Sequence, residues 1–378
     1  MLIAAAVVSA LVLGRDWRCS EREIQIFLAG IVLFIVLSSV SLINAADILS
    51  GLKRIEKLIF LLFFYPIYLA IKRLKINLLS PLYYGLLVAG PVLAIIAYYH
   101  VYQLNYTRVP GYYSSILFGS SAMLVAVLLL AGHLGGMCKY LSRAFIYLSF
   151  FCALGAAIAS GTRGAWLVLP VLSVLGLIAF FRDLSGRRVF FIVLLILSIS
   201  VIFYFNDNAK IRTKQVFTDL QSYSAGGGAN TSVGARLHLW DQAISIWQEN
   251  PVIGTGIGDF RHDIRHRIET KQTPVLRSYK HAHNIFLDAL ATTGILGFLG
   301  LTIAVFIVPA SLFFRVRYSE GSKKITCQAL LGFTLLISFA VFGLTEGWTI
   351  RSSMVSAFSF LLTILLAGRN SIAPAFDK

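Results

Sequence analysis

The chain has 378 residues, 57% of them hydrophobic and only 13% charged, with a mean hydropathy of +0.78. Soluble globular proteins carry about 25% charged residues, so this balance excludes a cytosolic enzyme, a disordered tail and a coiled coil, and marks a membrane protein. The formal net charge of +16 does not select nucleic acid, because in a polytopic protein Lys and Arg collect in the cytoplasmic loops that orient the helices.

Apolar blocks run near 1–13, 24–43, 58–71, 82–104, 114–131, 144–160, 165–181, 189–205, 285–314, 325–345 and 352–367. Their length approaches the roughly 20 residues a helix needs to cross a bilayer, whereas a barrel would show short alternating segments. The expected fold is all-α, a polytopic transmembrane bundle of about eleven spans. The first block is short and begins at Met1, which points to a truncated start or a missing helix, and it lacks the cleavage site of a signal peptide. Lys72, Arg73 and Lys75, then Lys139 and Arg143, then Arg182, Arg187 and Arg188, then Arg315, Arg317, Lys323 and Lys324 recur at every second connection and assign those loops to the cytoplasm. Connections 105–113, 161–164, 206–284 and 346–351 then face the other side, the periplasm in a double-membraned bacterium. Residues 44–57, with Lys53, Arg54 and Lys57, break the rule and read as an amphipathic segment along the headgroups. Cys19, Cys138, Cys152 and Cys327 lie far apart, with no disulfide framework or zinc ribbon suggested.

The expected division is 1–205 as transmembrane helices with short loops, 206–284 as one large periplasmic loop, and 285–378 as the C-terminal transmembrane helices. The loop is 79 residues long and holds five of the seven histidines; a loop of that length is usually functional. Within it Ala235–Glu249 reads as a helix, with Leu237, Trp240, Ile244 and Trp247 forming an apolar stripe for the bilayer or the bundle, and Asn250-Pro251 ending it. Gly226, Gly227 and Gly228 before it supply either a hinge or a plain connector.

Arg163, in Ser160-Gly-Thr-Arg-Gly-Ala-Trp166, stands between two apolar blocks. A permanent cation there either snorkels to the interface or meets an anion, and for phosphate the planar fork of arginine suits better than lysine. Arg236, in Gly234-Ala-Arg-Leu-His-Leu-Trp240, begins the expected loop helix, where its charge opposes the helix dipole. It is either a solvated surface arginine or a partner of free N–H groups on one anionic ligand. His283, in His281-Ala-His-Asn-Ile-Phe-Leu287, sits where the loop re-enters the membrane, with Asn284 near a helix start. A helix N-terminus keeps a nearby imidazole neutral, which suits a general base; the alternative is a capping or packing histidine.

Asp259, His262, Asp263 and His266 recur at helical spacing and offer metal ligands. Arg261, Arg265 and Arg267 interleave with them, which favours a charge-laced, solvated helix over a metal site. Gly254-Thr-Gly-Ile-Gly258 imitates a dinucleotide fingerprint without its strand and reads as a turn. There is no Walker P-loop, and carboxylates suited to a proton relay are scarce, Asp288 and Glu346 being the main candidates near span ends.

These motifs resemble the O-antigen ligases, bacterial inner-membrane enzymes of a ligase and polymerase superfamily. Thr162-Arg163-Gly164, Gly234-Ala-Arg236, and His283-Asn284 followed by Gly294-Ile-Leu-Gly297 match the family in order and spacing, and Arg108 in Tyr106-Thr-Arg-Val-Pro-Gly111 matches an outer-loop arginine. The resemblance runs from about residue 105 to 355; the first hundred residues match only in hydropathy. It implies twelve spans, a donor of undecaprenyl-pyrophosphate-linked glycan and an acceptor hydroxyl on the lipid A-core oligosaccharide. It also implies direct, inverting transfer without cofactor, metal or nucleic acid. His283 would be the general base, and Arg163, Arg236 and Arg108 would bind pyrophosphate. An O-antigen polymerase of the same superfamily is the nearest alternative, and a lipid-linked oligosaccharide flippase a more distant one.

Overall fold

Unbroken apolar sequence in hydrocarbon folds as helix because a helix satisfies its own backbone N–H and C=O groups. The computed structural model describes residues 2–14, 16–111, 114–137, 143–180, 231–316 and 326–368, with further positions at 189, 193, 196, 218, 219, 221–224 and 227. Among the described residues there are only helices, turns and irregular segments, and no strand. Among the described residues five helices are long and apolar enough to cross a membrane: Arg22–Asn44, Leu79–Gln103, Ser115–Leu134, Ile285–Arg315 and Cys327–Thr345. Leu2–Leu13, Arg143–Ala159, Arg163–Gly176 and Ser352–Ala367 are shorter apolar helices. The expected span 58–71 is instead a 3₁₀ turn at Phe60–Phe63 followed by the helix Phe64–Leu74, a direct continuation of the amphipathic helix Ile48–Ile59. The expected span 189–205, apart from positions 189, 193 and 196, and with it Lys139, Arg182, Arg187, Arg188, Arg317, Lys323, Lys324, Gly226 and Gly228, lies outside the described residues.

The chain forms two compact units, one of Met1–Leu82 with Gly227–Lys378 and one of Tyr83–Gly226. In the first, the long helix from Ile285 is broken at Gly294, whose φ of +62° and ψ of −166° are not helical. The break receives the chain that follows the loop helix. Ile295 N–H donates to the Pro251 carbonyl at 2.9 Å, and Thr255 and Gly256 N–H donate to the carbonyls of Ala291 and Thr292 at 3.2 and 3.0 Å. Gly254, Gly256 and Gly258 all have positive φ, so the glycine-rich run is the turn its sequence suggests, shaped to dock on a helix.

The loop helix spans Ser232–Glu249 and starts three residues before the expected Ala235, because Thr231 caps it by accepting from Gly234 N–H at 3.1 Å. Arg236 therefore lies beyond the first turn rather than at the helix start. The buried stripe is also displaced: Ala235, Leu239, Ala243 and Ile246 face inward, while Ile244 of the expected stripe is exposed. Small alanines allow close approach, and Leu239, Ala243 and Ile246 pack with Phe260, Ile264, Val275, Ala282 and Ala291 into a core of their own. The helix Phe260–Glu269 is likewise not a solvated one on this side. Asp259, at its N-cap position, accepts from the N–H groups of Ala46 and Asp47 at 2.5 and 3.1 Å. Asp263 accepts from the Thr255 hydroxyl at 2.7 Å. Arg267 is buried, donating to Gln242 and Ser245 of the loop helix at 3.1 and 3.0 Å and pairing with Glu249. His262 and His266 point outward, so the four candidate ligands do not converge.

In the second unit small residues set the helix spacing. Gly90 lies against Ser149, whose hydroxyl donates to the Leu87 carbonyl at 2.8 Å, and Gly132 lies under the ring of Tyr83.

Candidate active site

The segment that enters the helix Ile285–Leu301 is fixed residue by residue. Asn284 caps that helix, accepting from Phe286 and Leu287 N–H at 3.0 and 3.2 Å, as the sequence suggests. Upstream, Ala282 N–H donates to Asp288 Oδ1 at 3.1 Å and its carbonyl accepts from Trp240 Nε1 at 3.1 Å. Arg54, from the helix Ile48–Ile59, donates to Asp288 Oδ2 at 3.3 Å and to the Lys280 carbonyl at 2.9 Å. Between these two tied points His283 takes φ +53°, a left-handed conformation that a non-glycine residue keeps only when its surroundings dictate it.

That conformation turns the imidazole onto Glu346, which follows the helix Cys327–Thr345. His283 Nδ1 lies 3.3 Å from Glu346 Oε2, and His281 Nε2 lies 3.6 Å from Oε1. Arg351 donates to the same Oε1 from Nε and Nη2 at 3.3 and 3.0 Å. The two histidine rings meet edge to face at 4.2 Å between centroids, and the Tyr279 ring lies 5.8 Å from that of His283, also edge to face. The side chains of Glu346 and His281 are 6% and 7% exposed, that of His283 20%; His283 is the open member of the group. Burial pulls the His281 imidazole down to about 4, against the opposing charge of Asp288. For Glu346 burial pushes the other way, but the hydrogen bond from His283 and the charges of His283, His281 and Arg351 outweigh it and hold the carboxyl at about 2.

Arg236 reaches this group from the loop helix. Burial lowers its guanidinium below the ordinary arginine value, and the charges of Glu346 and Tyr279 act against that. Among the described residues Arg236 has no hydrogen-bond or ion-pair partner. A half-buried cation left with open donors in a site of this kind is arranged for an anion that is not part of the chain. His281, His283 and Glu346 also offer three ligand atoms within 4.8 Å of one another, a spacing that a metal ion can bridge. The charge around them disfavours it: Arg351 already holds the carboxylate, and Arg236 and Arg54 add two further cations.

The structure thus brings Arg236 and His283 together, and adds His281, Glu346 and Arg351, which the sequence did not single out as site residues. Arg163 and Arg108 belong to the second unit. Arg163 is the first residue of a short helix, Arg163–Trp166, behind Thr162, whose hydroxyl donates to the Ser115 carbonyl at 2.8 Å. Arg108 donates to the carbonyls of Ser160 and Gly161 at 3.0 and 3.4 Å, where its charge suits the C-terminus of the preceding helix. Arg108 therefore braces the turn that presents Arg163.

A family model described as O-antigen ligase matches residues 148–302, a stretch containing Arg163, Arg236 and His283. Over this stretch the chain is similar to the O-antigen ligase superfamily. It is similar to an O-antigen ligase of Escherichia coli, 24% identical over 241 residues that cover 60% of this chain and 53% of the relative. It is also similar to a ComP-specific O-oligosaccharyltransferase of Acinetobacter baylyi, 28% identical over 198 residues, 52% of this chain and 33% of the relative. A third relative, an uncharacterized protein of Haemophilus influenzae, is 23% identical over 325 residues, 84% of this chain and 80% of the relative. The chain thus spans about half of the ligase and a third of the oligosaccharyltransferase, and Glu346, Arg351 and Arg108 lie outside the stretch 148–302 that matches the family.

Proposed function

We propose that this chain is a glycosyltransferase that moves a glycan from an undecaprenyl-pyrophosphate carrier to a sugar hydroxyl of the lipid A-core oligosaccharide, at the periplasmic face of the bacterial inner membrane. The observation that carries the reading is the unpartnered Arg236 guanidinium beside the open, Glu346-bound imidazole of His283. In this reading His283 Nε2 takes the proton of the acceptor hydroxyl as its oxygen forms a bond to the anomeric carbon. The bond from that carbon to the diphosphate oxygen breaks, and Arg236 stabilises the negative charge gathering on the leaving group. One displacement of this kind inverts the anomeric centre and needs no nucleotide. By the superfamily resemblance Arg163, braced by Arg108, would also bind diphosphate, and the pattern of basic loops in the sequence supports an outer-facing site.

The test is an in vitro reaction of purified protein with lipid-linked glycan and core acceptor, without ATP. Glycan on the core supports the reading; glycan extended only on the lipid carrier assigns the chain to polymerisation instead. Arg236→Lys is expected to lose activity by about tenfold or more, although the charge is kept, because one ammonium cannot replace the two-pronged guanidinium on a diphosphate. Chelator is expected to leave the rate unchanged. Activity that falls with chelator and returns with a divalent ion would give His281, His283 and Glu346 to a metal.

A further inference from the structure

We propose that Glu346 is the positioning residue of the site, holding the Nδ1–H of His283 so that Nε2 stands as a bare proton acceptor, with Arg351 and His281 fixing the carboxylate. The inference rests on the reading of His283 as the base and names what makes it one. An ionised carboxylate has no proton to give, so the 3.3 Å contact between His283 Nδ1 and Glu346 Oε2 requires the hydrogen on Nδ1. In a neutral ring the lone pair then lies on Nε2, which no described residue engages. His281 has the opposite tautomer for an equally definite reason. Its Nδ1 accepts the backbone N–H of His283 at 3.3 Å, so its hydrogen sits on Nε2, 3.6 Å from Glu346 Oε1. Arg351 occupies the rest of that oxygen with two donors. Glu346 is thus held on both oxygens, by side chains from two separate stretches of the chain.

Glu346 does not serve as the base itself. It is buried, its oxygens are all engaged, and a carboxylate held so acidic accepts protons poorly. Its position relative to His283 is the one that a carboxylate takes behind a catalytic imidazole, where it selects the tautomer and steadies the imidazolium.

The experiment compares the full chain with Glu346→Gln, Glu346→Asp and His283→Ala, using a polyprenyl-diphosphate-linked oligosaccharide and a lipid A-core acceptor. The glutamine amide can turn its NH2 toward the ring and force the hydrogen onto Nε2. Its kcat is therefore expected to fall on the order of 10³-fold or more with KM close to that of the parent. Aspartate keeps the charge but not the reach, and is expected to recover part of the loss. The split between a lowered kcat and an unchanged KM is the readout that a purely structural role would not produce.

Undiminished kcat in Glu346→Gln, with His283→Ala inactive, overturns the positioning role and leaves the base. An active His283→Ala overturns both. Equal loss in Gln and Asp variants with a raised KM and a lowered melting temperature assigns Glu346 to structure alone. Should the glutamine variant fail to accumulate in membranes, the aspartate variant decides: reduced kcat with KM and melting temperature unchanged supports the proposal, and full kcat ends it.

Discussion

Replacing His283 with alanine is expected to abolish glycan attachment while the protein still inserts and folds. A positioned general base contributes on the order of 10²- to 10⁴-fold, and here no second group stands ready to take over. His281 is buried and its ring is committed through both nitrogens, and Glu346 is occupied by Arg351. Folding should survive because the segment is held through its backbone rather than through this ring. Ala282 is tied at N–H and carbonyl by Asp288 and Trp240, Lys280 by Arg54, and the helix that follows by the Asn284 cap. The measurement is product formation in the reconstituted reaction, set beside the yield and melting temperature of the membrane-inserted protein. Full turnover in the alanine variant would remove His283 from the chemistry; loss of turnover together with loss of folded protein would show that the ring is structural.

What could be read from the sequence follows from which forces are local. Among the described residues the apolar blocks fold as helices, so the helical membrane character is legible in the sequence, as are the Asn284 cap and the glycine turn at Gly254–Gly258. Residues that act through distant partners were not. Glu346 stands 63 positions from His283, and Arg54 stands 234 from Asp288; one carboxylate near a span end gives no sign that an imidazole waits for it. The face of the loop helix was misread for a related reason. Large residues drew the stripe toward Leu237, Ile244 and Trp247, whereas docking chose the side where Ala235 and Ala243 let the helix come close. The helix after Asp259 is half buried rather than solvated because its partners, the backbone of Ala46 and Asp47 for Asp259 and the side chains of Gln242 and Ser245 for Arg267, come from elsewhere in the chain. Arg236 stands out in the sequence through a helix start that in the structure lies earlier, at Ser232, and only the structure supplies its neighbours.

The largest expected effect on folding comes from a residue with no chemistry at all. Gly294→Ala is expected to deplete folded protein, at a cost above about 3 kcal/mol, since overpacking and a forbidden backbone conformation act at one position. A Cβ at Gly294 would lie 2.2 Å from the carbonyl oxygen of Val252 and 2.3 Å from its carbonyl carbon. Those are backbone atoms, which cannot swing aside as a side-chain tip would. Moving them breaks the bonds from Ile295 and Leu296 to Pro251 and Val252, and then those from Thr255 and Gly256 to Ala291 and Thr292. The same stretch leads through Ile257, whose N–H donates to the Ser41 hydroxyl at 2.9 Å, to Asp259 on Ala46 and Asp47. Displacing one joint therefore loosens the helix that His283 enters, the loop helix that carries Arg236 and the helix that carries Arg54. Gly30→Ala is the control: on the helix Arg22–Asn44 its Cβ would come no closer than 3.6 Å to a neighbour, the Cβ of Ala304, an ordinary van der Waals contact. Thermal unfolding and protease resistance of the two variants in membranes should separate them, with Gly294→Ala far the weaker. Equal stability of the two would mean that the break at Gly294 is not needed to hold the site together.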